Sequence, residues 1–125
     1  MKMTLTEDFQ NTVAKLHIWN KSILDILSKL NIASAKVERA AAKAVTGCGC
    51  IEIDGKKSVV TFEKKEKDSQ IRGVLCEECR SEIEREIGEN LYYMISLCNA
   101  LELNVDKIII KELERVKTLG KYNLM

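Results

Sequence analysis

Apolar residues recur at three-to-four spacing over most of this chain, which is the period of an amphipathic helix. The first stretch runs from about Thr4 to Leu30 through Phe9, Val13, Leu16, Ile23, Leu27 and Leu30. Thr4 followed by Glu7 has the form of a capping box and predicts the helix start. Asn20 lies inside the stripe, either as a buried amide that fixes helix pairing or as a ligand contact. A second helix is predicted from about Ile32 to Val45, capped by Asn31 or Ser34 and ended by Gly47. Its run of small residues, Ala40, Ala41, Ala42 and Ala44, permits close helix approach. A third helix is predicted from about Glu77 to Leu101, with Ile83, Ile87, Leu91, Met94, Cys98 and Leu101 as its apolar face. The fourth begins after Asn104, a good N-cap, and runs to Leu119 before Gly120. Ile108, Ile109, Leu113 and Val116 mark its core side.

Between the second and third helices the period changes. Ile51 and Ile53, then Val59, Val60, Thr61 and Phe62, have strand character, and Asp54-Gly55 is a turn signal between them. The pattern predicts a β-hairpin, followed by a charged loop at residues 63–73. A lone two-stranded hairpin is marginal in water and needs a further restraint. The fold class is therefore all-α: a four-helix bundle with short links within each helix pair, and a hairpin insert at 47–75 within a single domain of residues 1–125.

Four cysteines stand at the base of this insert. Cys48-Gly-Cys50 and Cys76-Glu-Glu-Cys79 are separated by 25 residues. Four thiolates suit the tetrahedral, soft-ligand preference of zinc, and a closed four-cysteine site is a structural one. A structural zinc ion is the leading reading. Unliganded or redox-active thiols, and an iron–sulfur cluster, are the alternatives. Cys98 occupies a core position of the third helix and is read as packing.

The whole-chain composition narrows the field. Twenty basic residues against nineteen acidic ones leave a net charge of +1, which gives no strong field for nucleic acid or an anionic membrane. The polar N-terminus MKMTLTEDFQ lacks a signal-peptide core, and no apolar run approaches the ~20 residues of a membrane span. A cytoplasmic location is expected, where cysteines stay reduced and a cluster of them favours metal over disulfides. His17 and Trp19 could line a pocket, but read more simply as packing or surface residues.

Glu82, Glu86 and Glu89 share one stripe of the third helix, with Tyr93 continuing it. Taken alone, such carboxylates are a solvated helix face. At a groove edge they can also serve as magnesium ligands.

The run Arg85-Glu86-Ile87-Gly88-Glu89-Asn90-Leu91-Tyr92-Tyr93-Met94, followed by Leu97 to Asp106, resembles the MazG-like nucleoside triphosphate pyrophosphohydrolases. The resemblance implies an all-α fold assembled as a homo-dimer or higher oligomer. It implies a magnesium-dependent hydrolase that splits a nucleoside triphosphate into a monophosphate and pyrophosphate, using Glu-x-x-Glu on the second helix and Glu-x-x-Asp on the third. Glu86 and Glu89 match the second pair, with Glu in place of Asp. Of the first pair only Glu38 remains, since Ala41 and Ala35 stand three residues to either side. Glu82 could add a carboxylate from the third helix. The alternative is a non-catalytic zinc-binding helical module for protein interaction or ligand sensing.

Overall fold

A computed structural model describes residues 2–16, 22–56 and 70–123. Four α-helices and one two-stranded sheet follow in the order α1 (Leu5–Leu16), α2 (Ile23–Lys43), β1 (Ile51–Ile53), β2 (Ile71–Gly73), α3 (Glu77–Ala100) and α4 (Val105–Asn123). The mostly helical class with a small hairpin before the third helix agrees with the sequence pattern. Among the described residues no helix is long and apolar enough to cross a membrane.

Several element boundaries follow their capping signals. The Glu7 amide donates to Thr4 Oγ1 at 3.0 Å, and the Lys107 amide donates to Asn104 Oδ1 at 2.9 Å. Each satisfies a donor that the first turn of a helix would leave unpaired. The second helix begins elsewhere than expected. α2 runs unbroken through Asn31 and Ser34, and begins after Ser22, whose Oγ accepts from the Asp25 amide at 3.3 Å. Asn31 carries neither the ring of proline nor the freedom of glycine, so in mid-helix it costs only a fraction of a kcal/mol. Asn20, His17 and Trp19 lie outside the described residues.

The chain divides into two compact units. The first comprises Met1–Asn31 and Leu91–Met125. Val13, Ile26, Ile95, Ser96 and Cys98 are buried in it. Gln10 clamps the turn between α3 and α4: its Nε2 donates to Asn99 Oδ1 at 2.9 Å and to the Leu103 carbonyl at 2.8 Å, while its Oε1 accepts from the Val105 amide at 3.0 Å. That turn is a Schellman cap. The Leu103 amide bonds the Cys98 carbonyl at 2.8 Å, the Glu102 amide bonds Asn99 at 3.2 Å, and Glu102 takes the left-handed φ of 57° that this motif requires. α4 continues through Gly120 rather than stopping before it.

The second unit comprises Ile32–Asn90. Ala33, Ala40 and Ala44 are buried along α2 and the turn that follows it, whereas Ala41 and Ala42 are exposed. Asn90 Nδ2 donates to Ser34 Oγ at 2.8 Å, and Lys36 Nζ lies 4.0 Å from Glu89. Since Ser34 meets Asn90 while Cys48, further along, meets Cys76, the two chain segments run antiparallel. β1 pairs antiparallel with β2, Ile51 opposite Gly73 and Ile53 opposite Ile71. The expected partner strand, Val59–Phe62, lies outside the described residues, and Ile71–Gly73, expected as loop, is strand. Asp54 makes the anticipated turn, its Oδ1 accepting from the Lys56 amide at 3.1 Å and its Oδ2 pairing with Arg72 at 3.3 Å.

The apolar rows of α3 and α4 differ most from expectation. Ile87, Leu91, Met94 and Leu101 are exposed, as are Ile108, Ile109, Leu113 and Val116. Cys98 alone of the expected α3 face is buried, beside Ile95 and Ser96.

Candidate metal centre

The first cysteine pair is delivered by the end of α2. Its last turn widens to a π-type helix over Ala44–Cys48, and the Gly49 amide closes it on the Ala44 carbonyl at 2.9 Å. Gly49, not Gly47, is the terminating glycine, with a left-handed φ of 78° that reverses the chain between Cys48 and Cys50. Only glycine takes that conformation without steric cost. The one-residue spacing of this pair thus reflects a helix cap, with each thiol on one side of a left-handed residue.

The second pair arrives through β2. Gly73 lies opposite Ile51 with φ 89°, and a Cβ there would sit 2.6 Å from the Cys50 carbonyl oxygen. The glycine lets the returning strand press against the backbone of Cys50 itself. Three residues later Cys76 caps α3. The Cys79 amide donates to Cys76 Sγ at 3.4 Å, and the Arg80 amide to the Cys76 carbonyl at 2.9 Å. A sulfur here does what a serine oxygen does at other helix starts, and the positive end of the helix favours it as thiolate.

The four Sγ atoms lie within 4.8 Å of one another, with Cys48 and Cys76 3.8 Å apart. Sulfurs at about 2.3 Å from one zinc ion, disposed tetrahedrally, stand about 3.8 Å from each other. A disulfide needs about 2.05 Å between sulfurs, and all five cysteines are free. Donor set and spacing therefore fit a metal ion held by Cys48, Cys50, Cys76 and Cys79, compatible with structural zinc. Cys48 is exposed and the other three are half-buried. The electrostatics are those of thiols crowded around one negative charge. The Cys79 backbone N–H, then the Cys79 thiol, lower Cys76 to about 7. Hydrogen bonding to Cys76 raises both Cys79 and Cys48. A divalent cation relieves that crowding by taking all four as thiolates. Burial pushes the Cys98 thiol up, in keeping with a packing role apart from the centre.

The acidic candidates are dispersed. Glu86 is buried, 7 % exposed, on α3. Its Oε1 has no hydrogen-bond partner; the exposed Arg85 Nη2 comes within 3.3 Å of it without hydrogen-bond geometry. Glu89 is half-buried, with Lys36 Nζ 4.0 Å away. Glu38 and Glu82 are exposed. Among the described residues the cysteines are the group of three or more His, Cys, Asp or Glu ligands gathered closely enough for one ion. Gly73 and Lys36 were not singled out by the sequence. An isolated glycine in a short β-branched run is the usual mark of a close backbone approach, whereas nothing local sets Lys36 apart from other helix lysines.

No protein-family model matches the chain, and no curated protein or solved structure matches it significantly.

Proposed function

We propose that this chain is a divergent MazG-like protein that hydrolyses nucleoside triphosphates to monophosphate and pyrophosphate, with zinc at the four cysteines in a purely structural role. The observation that supports this most is Glu86. Its Oε1 accepts no hydrogen bond and is met only by the exposed Arg85 guanidinium at 3.3 Å, so a buried carboxylate is left incompletely satisfied. Stability is given up in this way where a site awaits a ligand. Glu86 and Glu89 also carry the resemblance to the family's Glu-x-x-Asp motif. Glu86 and Glu89 would hold magnesium, with Glu38 as the remnant of the other pair. Bound magnesium supplies charge neutralisation on the phosphates and activation of water. The cysteines have no part in that chemistry, because four protein ligands leave zinc no open position.

Purified zinc-loaded protein with magnesium and a panel of nucleoside triphosphates should release pyrophosphate, and Glu86→Ala should abolish the release. Absence of pyrophosphate from the native protein, or full activity in the variant, overturns this reading. Glu86→Leu should lose activity yet unfold at higher denaturant concentration in magnesium-free buffer, since it removes a buried carboxylate whose Oε1 accepts no hydrogen bond and whose ion pair is with an exposed guanidinium.

The second reading is a non-catalytic zinc-stabilised module. The Lys36–Glu89 pair favours it, because an ammonium already stands against one of the two matching carboxylates. Isothermal titration showing binding of neither magnesium nor nucleotide would select it.

A further inference from the structure

The surroundings of the four thiols are unequal. Cys50 stands just before β1, its Sγ 3.8 Å from the Ala44 carbonyl oxygen. Cys79 lies in the first turn of α3, and Cys76 caps that helix, its Sγ accepting from the Cys79 amide at 3.4 Å. These three are half-buried. Cys48 is exposed, and it sits between Gly47 and Gly49 where the chain reverses. A Cβ added at Gly49 would meet no described atom within 4 Å, and one at Gly47 would meet Lys43 Cβ at 3.9 Å. The backbone on either side of Cys48 is therefore loosely packed and can shift at little cost.

A cysteine reacts with peroxide according to its thiolate character and its access to solvent. Metal ligation makes thiolates of all four, but full access belongs to Cys48 alone among them. Its sulfur lies 3.8 Å from that of Cys76, and a disulfide needs the pair to close to about 2.05 Å.

We propose that Cys48 is an oxidation site for hydrogen peroxide, and that the sulfenic acid formed there closes onto Cys76 as a disulfide, opening the cluster and releasing its metal ion. In the first step the Cys48 thiolate attacks a peroxide oxygen. An S–O bond forms, the O–O bond breaks, and the departing hydroxide takes a proton from solvent to become water. In the second step the Cys76 thiolate attacks the Cys48 sulfur. The S–S bond forms, the S–O bond breaks, and a second hydroxide leaves as water after taking a second proton. Two thiolates are thus oxidised by two electrons, and one peroxide is reduced to two waters. The chain then offers an ion only Cys50 and Cys79, whereas a structural zinc site takes four protein ligands. The inference rests on the reading that the four cysteines hold zinc, and it stands whether or not the chain acts on nucleotides.

The test uses the full zinc-loaded chain freed of reductant, hydrogen peroxide in modest molar excess, and a chromophoric chelator that leaves the untreated protein loaded. Zinc should appear at one equivalent per chain, and fragment-ion mass spectrometry of the unreduced digest should find Cys48 joined to Cys76. Dithiothreitol with added zinc should reverse both changes. Cys98→Ala, which removes the buried thiol outside the cluster, should release zinc at the native rate. Cys48→His keeps a fourth zinc ligand but cannot form a sulfenic acid, so its release should be slower by at least about tenfold. Zinc retained by the native chain in peroxide, a disulfide between any other pair, or equal release from the native chain and Cys48→His overturns the inference. If Cys48→His fails to take up zinc, the disulfide map of the native chain decides alone. A native chain that binds no zinc is recognised before peroxide is added, and that outcome removes the metal reading and this inference with it.

Discussion

Gly73 shows how one missing methyl group can decide whether the four-cysteine cluster closes. Its φ of 89° and the 2.6 Å from its would-be Cβ to the Cys50 carbonyl oppose any side chain there. Alanine would cost about 1–2 kcal/mol for the left-handed backbone alone, and the clash adds to it because its neighbour is backbone and cannot rotate away. The strain falls between Cys50 and Cys76, so it is relieved by moving the two thiol pairs apart. Gly73→Ala should therefore weaken zinc binding at least about tenfold, read by competition with a chromophoric chelator. Gly55→Ala, at a position where no described atom lies within 4 Å of the added Cβ, should leave the affinity unchanged. The grouping of the four cysteines was legible in the sequence, because thiol spacing is a chemical statement that survives errors in the fold around it. The closeness of Gly73 was not, since it depends on which strand returns to β1, and the expected partner was the more β-prone Val59–Phe62.

At the scale of elements, helix ends marked by side-chain caps were readable and interruptions within the pattern were not. Thr4 and Asn104 each place an oxygen against a free amide, and both starts came out as the sequence indicates. Ser22 followed by Asp25 carried the same signal for α2 but was masked by the apolar stripe that seemed to run on to Leu30. With α2 starting after Ser22, Ile26 is buried where Leu27 was expected. The α3–α4 turn offers a sharper check. Its Schellman cap puts Glu102 at φ 57°, a conformation in which a Cβ costs roughly 1 kcal/mol relative to glycine. The Gln10 clamp holds the turn in place regardless. Glu102→Gly should then raise the unfolding free energy by about 1 kcal/mol in urea melts with an unchanged m-value. A loss of stability would mean that the glutamate side chain contributes more than its backbone costs.

For the molecule as a whole, a periodic pattern tells which residues share a face, but not what covers that face. The stripes of α3 and α4 were read as core and stand largely in solvent, because a repeat of 3.5 to 3.6 residues is equally compatible with burial inside the chain and burial against another chain. The same distinction bears on what a metal held by the four cysteines would do for stability. Among the described residues of the unit Ile32–Asn90 the buried apolar ones are Ala33, Ala40 and Ala44, and the sheet is three residues on each strand. Alanine burial and a short hairpin provide little cohesion, whereas a four-thiolate zinc site supplies on the order of 10 kcal/mol. The unit Met1–Asn31 with Leu91–Met125 has Val13, Ile26 and Ile95 at its centre and the Gln10 clamp, and involves none of the four ligands. Removing the metal should accordingly act on one unit and spare the other. In a chelator with reductant, hydrogen exchange should accelerate by orders of magnitude across residues 44–56 and 70–80, while amides around Val13, Ile26 and Ile95 keep their protection. Zinc should restore the slow exchange at stoichiometric amounts and magnesium should not, since hard cations compete poorly for thiolates. Uniform exchange across both units before and after chelation would show that the thiols are held together by the fold alone.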